Sequence, residues 1–226
     1  MPDEEKIVIE LFSGTASFSC VAEERGYVTL TIDNDKRFDP HRRWDIMKME
    51  VDDLPERFQD PFFVWASPPC QCFSIASVSH HWRKWGDCYM PVTGRSKDSV
   101  LLVKKTLQLI DDFDPEHYVI ENPRGILRKL DFMQELHRDT VTYCQYGDNR
   151  MKPTDLWNDI DAWEPRAMCK NGDSCHESAP RGSKTGTQGR KNSVERARVP
   201  RELCEEILDA LEPSDKNNLR KVAERY

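Results

Sequence analysis

The chain is predicted to fold as an α/β protein with an open, largely parallel sheet covered by helices on both faces. Three observations carry that prediction. Short apolar runs rich in β-branched and aromatic residues alternate with stretches of helical periodicity. Most of those runs end in a cluster of polar, Gly or Pro residues. The 226 residues, 38% hydrophobic and 32% charged, suit one lean core under a charged surface, with room for a small appendage.

Taken in order, Lys6 to Phe12 reads as a buried strand running into Ser13-Gly-Thr15 and then a helix that Gly26 closes. Tyr27 to Ile32 supplies a second strand, ending at Asp33-Asn-Asp35, and Phe62 to Ala66 a third, ending at Ser67-Pro-Pro-Cys70. Val100, Val103, Leu107 and Ile110 recur at helical spacing between Ser96 and Phe113. His117 to Ile120 is a strand ending at Glu121-Asn-Pro123. Ile126 to Leu136 is predicted helical, Thr140 to Tyr146 a strand and Leu156-Trp157 a short one. From Pro200 a helix carries Leu203, Ile207, Leu208 and Leu211 on one face, and Ser214 to Tyr226 is a short charged helix or a frayed tail. Three regions follow: 1–157 as the main domain, 158–198 as a small insert with little apolar periodicity, and 199–226 returning to the main domain. In such sheets ligands bind outside the carboxyl ends of the strands.

No stretch approaches the roughly 20 apolar residues a membrane span requires. The start, Met-Pro-Asp-Glu-Glu-Lys6, is the opposite of a signal peptide, so a cytoplasmic location is expected, the host's cytoplasm for a viral protein. The eight cysteines are then expected as thiols or metal ligands. A net charge of −7 speaks against broad phosphate binding. Between Ser178 and Arg201, however, Arg181, Lys184, Arg190, Lys191, Arg196, Arg198 and Arg201 face a single acid, Glu195, which makes a local basic surface or a solvated loop.

Three separated segments, Leu11-Phe-Ser-Gly-Thr15, Ser67-Pro-Pro-Cys-Gln-Cys-Phe-Ser74 and Glu121-Asn-Pro-Arg-Gly125, together resemble the cytosine-5 DNA methyltransferase family. A Pro-Pro-Cys alone is more often a rigid loop with an incidental thiol, and the joint order is what makes the resemblance specific. It implies a Rossmann-like, S-adenosylmethionine-dependent methyltransferase fold acting as a monomer on double-stranded DNA. Cytosine carbon 5 is a poor nucleophile, so a thiolate must first add at carbon 6, and Cys70 is the residue the resemblance assigns. Glu121 would hold the cytosine N3 edge, Asn122 would orient the loop, and Arg150 with Lys152 would stand near the flipped base.

For the cofactor, the resemblance places Phe12, Gly14, Thr15, Asn34, Asp45 and Pro69 around the donor. Gly14 and Asp33 have the separation of a first-strand turn and a ribose-binding acid, although Asp33 also reads as an ordinary turn residue. Gln71, Ser74, Arg124, Lys152, Arg181 and Lys184 are the candidate DNA contacts. Two departures from the family stand out: Ala16 occupies a position where a second glycine is usual, and Gln145-Tyr-Gly-Asp-Asn-Arg150 shifts the register of the expected arginines. Phe73 to Arg95, with Trp82 and Trp85, reads as a mobile loop closing over DNA, or as tryptophans packed on the domain.

No metal is expected in the chemistry, since Cys70-Gln-Cys72 is a poor zinc signature. In the insert, Cys169, Cys175 and His176 could hold zinc together with Cys144 or Cys88, because a segment with so little apolar content often needs a staple. Other readings are a transfer-RNA cytosine-5 methyltransferase, which keeps the chemistry and changes the substrate, and a non-catalytic DNA-binding relative.

Overall fold

The computed structural model describes residues 5–178 and 192–212. Among the described residues nine strands and six α-helices lie in chain order: β1 (Ile7–Leu11), α1 (Ser17–Glu24), β2 (Val28–Asp33), β3 (Arg42–Arg43), β4 (Phe63–Ala66), α2 (Val78–His81), β5 (Trp82–Trp85), β6 (Cys88–Pro91), α3 (Gly94–Phe113), β7 (His117–Pro123), α4 (Asp131–Gln134), β8 (Arg138–Thr142), β9 (Pro153–Asn158), α5 (Ser193–Ala197) and α6 (Arg201–Leu211). Seven of the strands form one sheet in the order β3-β2-β1-β4-β7-β9-β8. Pairings from β3 through β7 are parallel, and β9 runs antiparallel to both neighbours.

The central strands are apolar because both their faces are covered. Ile7, Ile9 and Leu11 of β1 turn to one side, where α3 contributes Val103, Leu109, Ile110 and Phe113. Val8 turns to the other, where Phe18 of α1 and Leu203, Cys204, Ile207 and Leu208 of α6 pack. The polar exception on that face is Glu10, whose Oε2 accepts the Ser19 N–H over 2.8 Å inside the second cluster.

Several predicted elements change form. The predicted helix over Ile126 to Leu136 breaks into a single turn at Leu127–Lys129 and the short α4. Its backbone is needed elsewhere, since Ile126 N–H donates to the Phe73 carbonyl over 2.8 Å. The strand predicted to reach Tyr146 ends at Thr142 and gives way to a helical turn over Tyr143–Tyr146. The segment after Phe73 contains the β5-β6 hairpin. Trp82 is buried there, donating its indole N–H to the Cys72 carbonyl over 2.7 Å, whereas Trp85 is 83% exposed. The first part of the predicted insert belongs to the core: Ile160 and Trp163 are buried against α6, and Arg166 bridges the Gln145 carbonyl, Glu202 and Glu206. Ser214 to Tyr226, together with Arg181 and Lys184, lies outside the described residues.

Candidate active site

The site is built at the carboxyl ends of β1, β2, β4 and β7. Beyond β4, the Trp65 indole donates to Ser67 Oγ over 2.8 Å, and Pro68 and Pro69 lock the backbone of the loop that delivers Cys70. The Cys70 carbonyl accepts the N–H groups of Phe73 and Ser74 at 3.0 and 3.1 Å, closing a tight turn. Beyond the body of β7, Asn122 is fully buried and its side-chain amide donates to the Pro68 carbonyl over 2.9 Å. Ser74 and Gly125 form a backbone bridge between the two loops. At Gly125 a β-carbon would lie 2.1 Å from the Phe73 carbonyl oxygen, so only glycine permits this approach.

That contact sets Cys70 beside Glu121. The Cys70 thiol is half-buried and its pKa is raised, first by burial and then by the neighbouring Glu121 carboxylate, while Lys152 and Arg196 pull it down. Glu121 is itself buried. Its Oε1 accepts the Tyr143 hydroxyl over 2.8 Å and lies 3.4 Å from Lys152 Nζ. Tyr143 stays protonated, because burial and the adjacent carboxylate hold its hydroxyl well above the usual phenol range.

Antiparallel β9 explains this ring of partners. Thr142 on β8 pairs with Pro153 on β9, and Tyr143 N–H donates to the Met151 carbonyl over 2.9 Å, so both flanking residues arrive beside the end of β7. Lys152 was expected to contact DNA. It is buried with φ 25°, its ammonium 4.3 Å from the Tyr143 ring centroid and turned to Glu121. Arg150 is likewise redirected: only 1% exposed, it pairs with Asp148 and donates to the Glu195 carbonyl over 3.0 Å, fastening the segment before α6. Gln71 and Arg124 are exposed beside the loops, and Ser74 is half-buried.

Next to the loop lies a crevice of about 240 Å³ lined by Phe12, Asn34, Asp45, Ile46, Met47 and Pro69 and, from the first turns of α3, by Arg95, Asp98, Ser99 and Leu102. Four of the seven residues expected around the donor are in that lining. Gly14, Thr15 and Asp33 are not. The Asp33 carboxylate accepts the Gly14 N–H over 2.8 Å and the Asp35 N–H over 2.7 Å, fixing the turns after β1 and β2 that shape the crevice. The turn is tight: Phe12, Gly14 and Ala16 all have positive φ, at 57°, 51° and 52°. A methyl-bearing residue in that conformation costs ~1–2 kcal/mol, which is the physical meaning of the missing glycine at Ala16.

Tyr143 and the α3 residues were not identified from sequence. Arg95, Asp98, Ser99 and Leu102 do have the i, i+3, i+4, i+7 spacing of one helix face, and that was the available signal. Tyr143 had none, since its role depends on which strand lies beside β7.

The sheet order, the turn after β1 and the crevice at the strand ends define a Rossmann-like protein of the methyltransferase fold class. The solved structure of a candidate DNA modification methyltransferase encoded within an E. coli prophage shares this fold with a TM-score of 0.51 at 16% identity, over 73% of this chain and about half, 52%, of its own. Entamoeba histolytica EhMeth aligns with a TM-score of 0.47 at 15% identity, over 68% of this chain and 53% of its own. No family model matches the sequence. A protein of Frog virus 3 (isolate Goorha) described as a probable DNA (cytosine-5)-methyltransferase is 31% identical over 228 residues, covering 89% of this chain and 98% of its own length. The chain belongs to the DNA (cytosine-5)-methyltransferase family.

Proposed function

We propose that the chain methylates carbon 5 of cytosine in double-stranded DNA, with S-adenosylmethionine as donor and Cys70 as covalent nucleophile. The supporting observation is one juxtaposition: the Glu121 carboxylate, at the end of the strand next to β4, stands near enough to the Cys70 thiol to raise its pKa, and Pro69 of the same loop lines the crevice.

The residues of that crevice fit the donor's chemistry. Phe12, Ile46 and Leu102 offer apolar surface for a flat base, Asn34 and Asp45 offer edge partners, and Arg95, Asp98 and Ser99 suit a charged amino-acid end. Its volume of about 240 Å³ lies just below the ~300–1,000 Å³ usual for small-molecule sites. Bound there, the donor would supply an electrophilic methyl group.

The protein's own steps concern the base. Flipping the target cytosine out of the duplex costs a few kcal/mol, offset by phosphate contacts from exposed side chains such as Arg124, Arg83 and Lys84. Cys70 Sγ forms a bond to carbon 6, and the carbon 5–carbon 6 double-bond pair becomes nucleophilic at carbon 5. Glu121, oriented by Tyr143 and Lys152, holds the N3 edge and supports its protonation as the thiol adds. After carbon 5 is methylated, loss of its proton restores the double bond and expels the Cys70 thiolate.

The test uses duplex DNA containing 5-fluorocytosine with S-adenosylmethionine. Fluorine cannot leave as a proton does, so a stable protein–DNA adduct is expected, and Cys70→Ala should abolish it. Adduct formation by the Cys70→Ala variant, or methyl transfer to transfer RNA in preference to duplex DNA, would overturn the reading.

A further inference from the structure

Four side chains converge at the Tyr143–Tyr146 turn: Cys144 in that turn and Cys169, Cys175 and His176 from the segment after β9. Their ligand atoms all lie within 4.8 Å of one another. We propose that Cys144, Cys169, Cys175 and His176 bind one structural zinc ion that fastens the 169–176 segment to the turn following β8.

The distances suit a tetrahedron. With Zn–S near ~2.3 Å and Zn–N near ~2.0–2.1 Å, the edges of a Cys₃His site are about 3.8 Å between sulfurs and about 3.5 Å between sulfur and nitrogen. Cys175 Sγ lies 3.7 Å from Cys144 Sγ, and His176 Nδ1 lies 3.6 Å from Cys175 Sγ and 3.8 Å from Cys169 Sγ. Cys144 and Cys169 approach to 3.0 Å, closer than a tetrahedral edge yet far beyond the ~2.05 Å of a disulfide. Nδ1 is the nitrogen turned to the sulfurs, and Nε2 has no partner among the described residues, so the ring's orientation is set on the Nδ1 side.

The surrounding chain explains the need. From Glu164 to Glu177 the apolar residues are Ala167, Met168, Cys169 and Cys175, too few to bury a core of their own. Cys169 N–H donates to Thr142 Oγ1 over 3.1 Å and Gln145 Nε2 lies 3.4 Å from Cys175 Sγ, so the cluster is already seated on the turn. A four-ligand site without an open position holds structure and leaves the chemistry to Cys70. Because Tyr143 adjoins Cys144 and donates to Glu121, the same ion would steady the base pocket from behind.

The test is metal analysis of the full chain purified without chelator, with replacement of the ion by cobalt(II). One zinc per chain and thiolate-to-cobalt charge-transfer absorption are expected. Cys175→Ser and His176→Ala should each lower zinc content several-fold, and Cys88→Ser should leave it unchanged. Zinc below about a tenth of an ion per chain, a cobalt spectrum without thiolate bands, or a Cys144–Cys169 disulfide in unreduced protein by peptide mass would overturn the proposal. The cobalt spectrum is read on the unmutated protein, so it decides even if a variant fails to fold.

Discussion

The side-chain amide of Asn122 donates to the carbonyl of Pro68 over 2.9 Å in a fully buried position, tying the end of β7 to the loop that carries Cys70. One hydrogen bond thus couples the two motifs that the proposed reaction must bring together. Removing it leaves a buried carbonyl unpaired at a cost of ~1–3 kcal/mol. Asn122→Ala is therefore expected to lower kcat by about tenfold or more while the donor's Kd changes by less than about twofold, because the crevice lining is untouched. Single-turnover methylation with parallel donor titration checks this, and an equal loss in both would contradict it.

Gly125 makes the second tie. Gly125→Ala would drive a methyl group into the Phe73 carbonyl, 2.1 Å from the ideal β-carbon, and must separate the loops. Expected are a stability loss of about 1–3 kcal/mol and near-complete loss of adduct formation. Gly94→Ala, with nothing within 4 Å, should unfold like the parent protein in urea.

Burial first, and the Glu121 carboxylate second, hold the Cys70 thiol above its ordinary range in the free protein, with Lys152 opposing them. Alkylation of Cys70 by iodoacetamide should therefore be slow near neutrality and accelerate as pH rises. Glu121→Gln removes a negative neighbour, lowers the thiol pKa and should speed labelling at mildly alkaline pH, whereas Lys152→Met should slow it. Site-resolved mass spectrometry reads both rates, and slower labelling of Glu121→Gln would refute the proximity argument.

Glu10 is a carboxyl whose burial, the largest influence on it, raises its pKa from 4.5 to about 7. Between those values the folded protein keeps a proton that the unfolded chain has released. Stability therefore falls as pH rises through that window, by about 3 kcal/mol in all, and the loss persists above it. Glu10→Gln can still accept the Ser19 N–H and removes the titration. Urea unfolding should show the variant close to the parent at about pH 5 and more stable by up to about 3 kcal/mol at about pH 8. A variant less stable at both would rule this out.

Strand ends were the most legible part of the chain. Phe12, Asn34, Asp45 and Pro69 line one crevice, because each follows a strand, or in Asp45's case a short sheet-edge segment, with a recognisable polar boundary. The helix predicted between Ile126 and Leu136 forms only as the turn Leu127–Lys129 and α4, with the Ile126 N–H donated to the Phe73 carbonyl across the fold. Arg150 and Lys152 were placed near the flipped base by the resemblance of the Gln145 segment, and position along the chain does not say which groups are buried. For the thiol cluster, composition marked Cys169, Cys175 and His176 but left Cys144 and Cys88 as equal fourth partners. The fold brings in Cys144, while Cys88 is exposed on the β5-β6 hairpin.

By itself the sequence determined the α/β class and the order of the motifs, and it singled out Cys70 as the proposed nucleophile, because these depend on local hydrophobic period, turn residues and side-chain chemistry. Only the tertiary structure decided what surrounds Glu121. By inserting β9 antiparallel between β7 and β8, the sheet delivers Tyr143 and Lys152 to one carboxylate and Cys144 to the thiol cluster. Neighbours across a sheet are chosen by non-local pairing, which no stretch of sequence specifies alone.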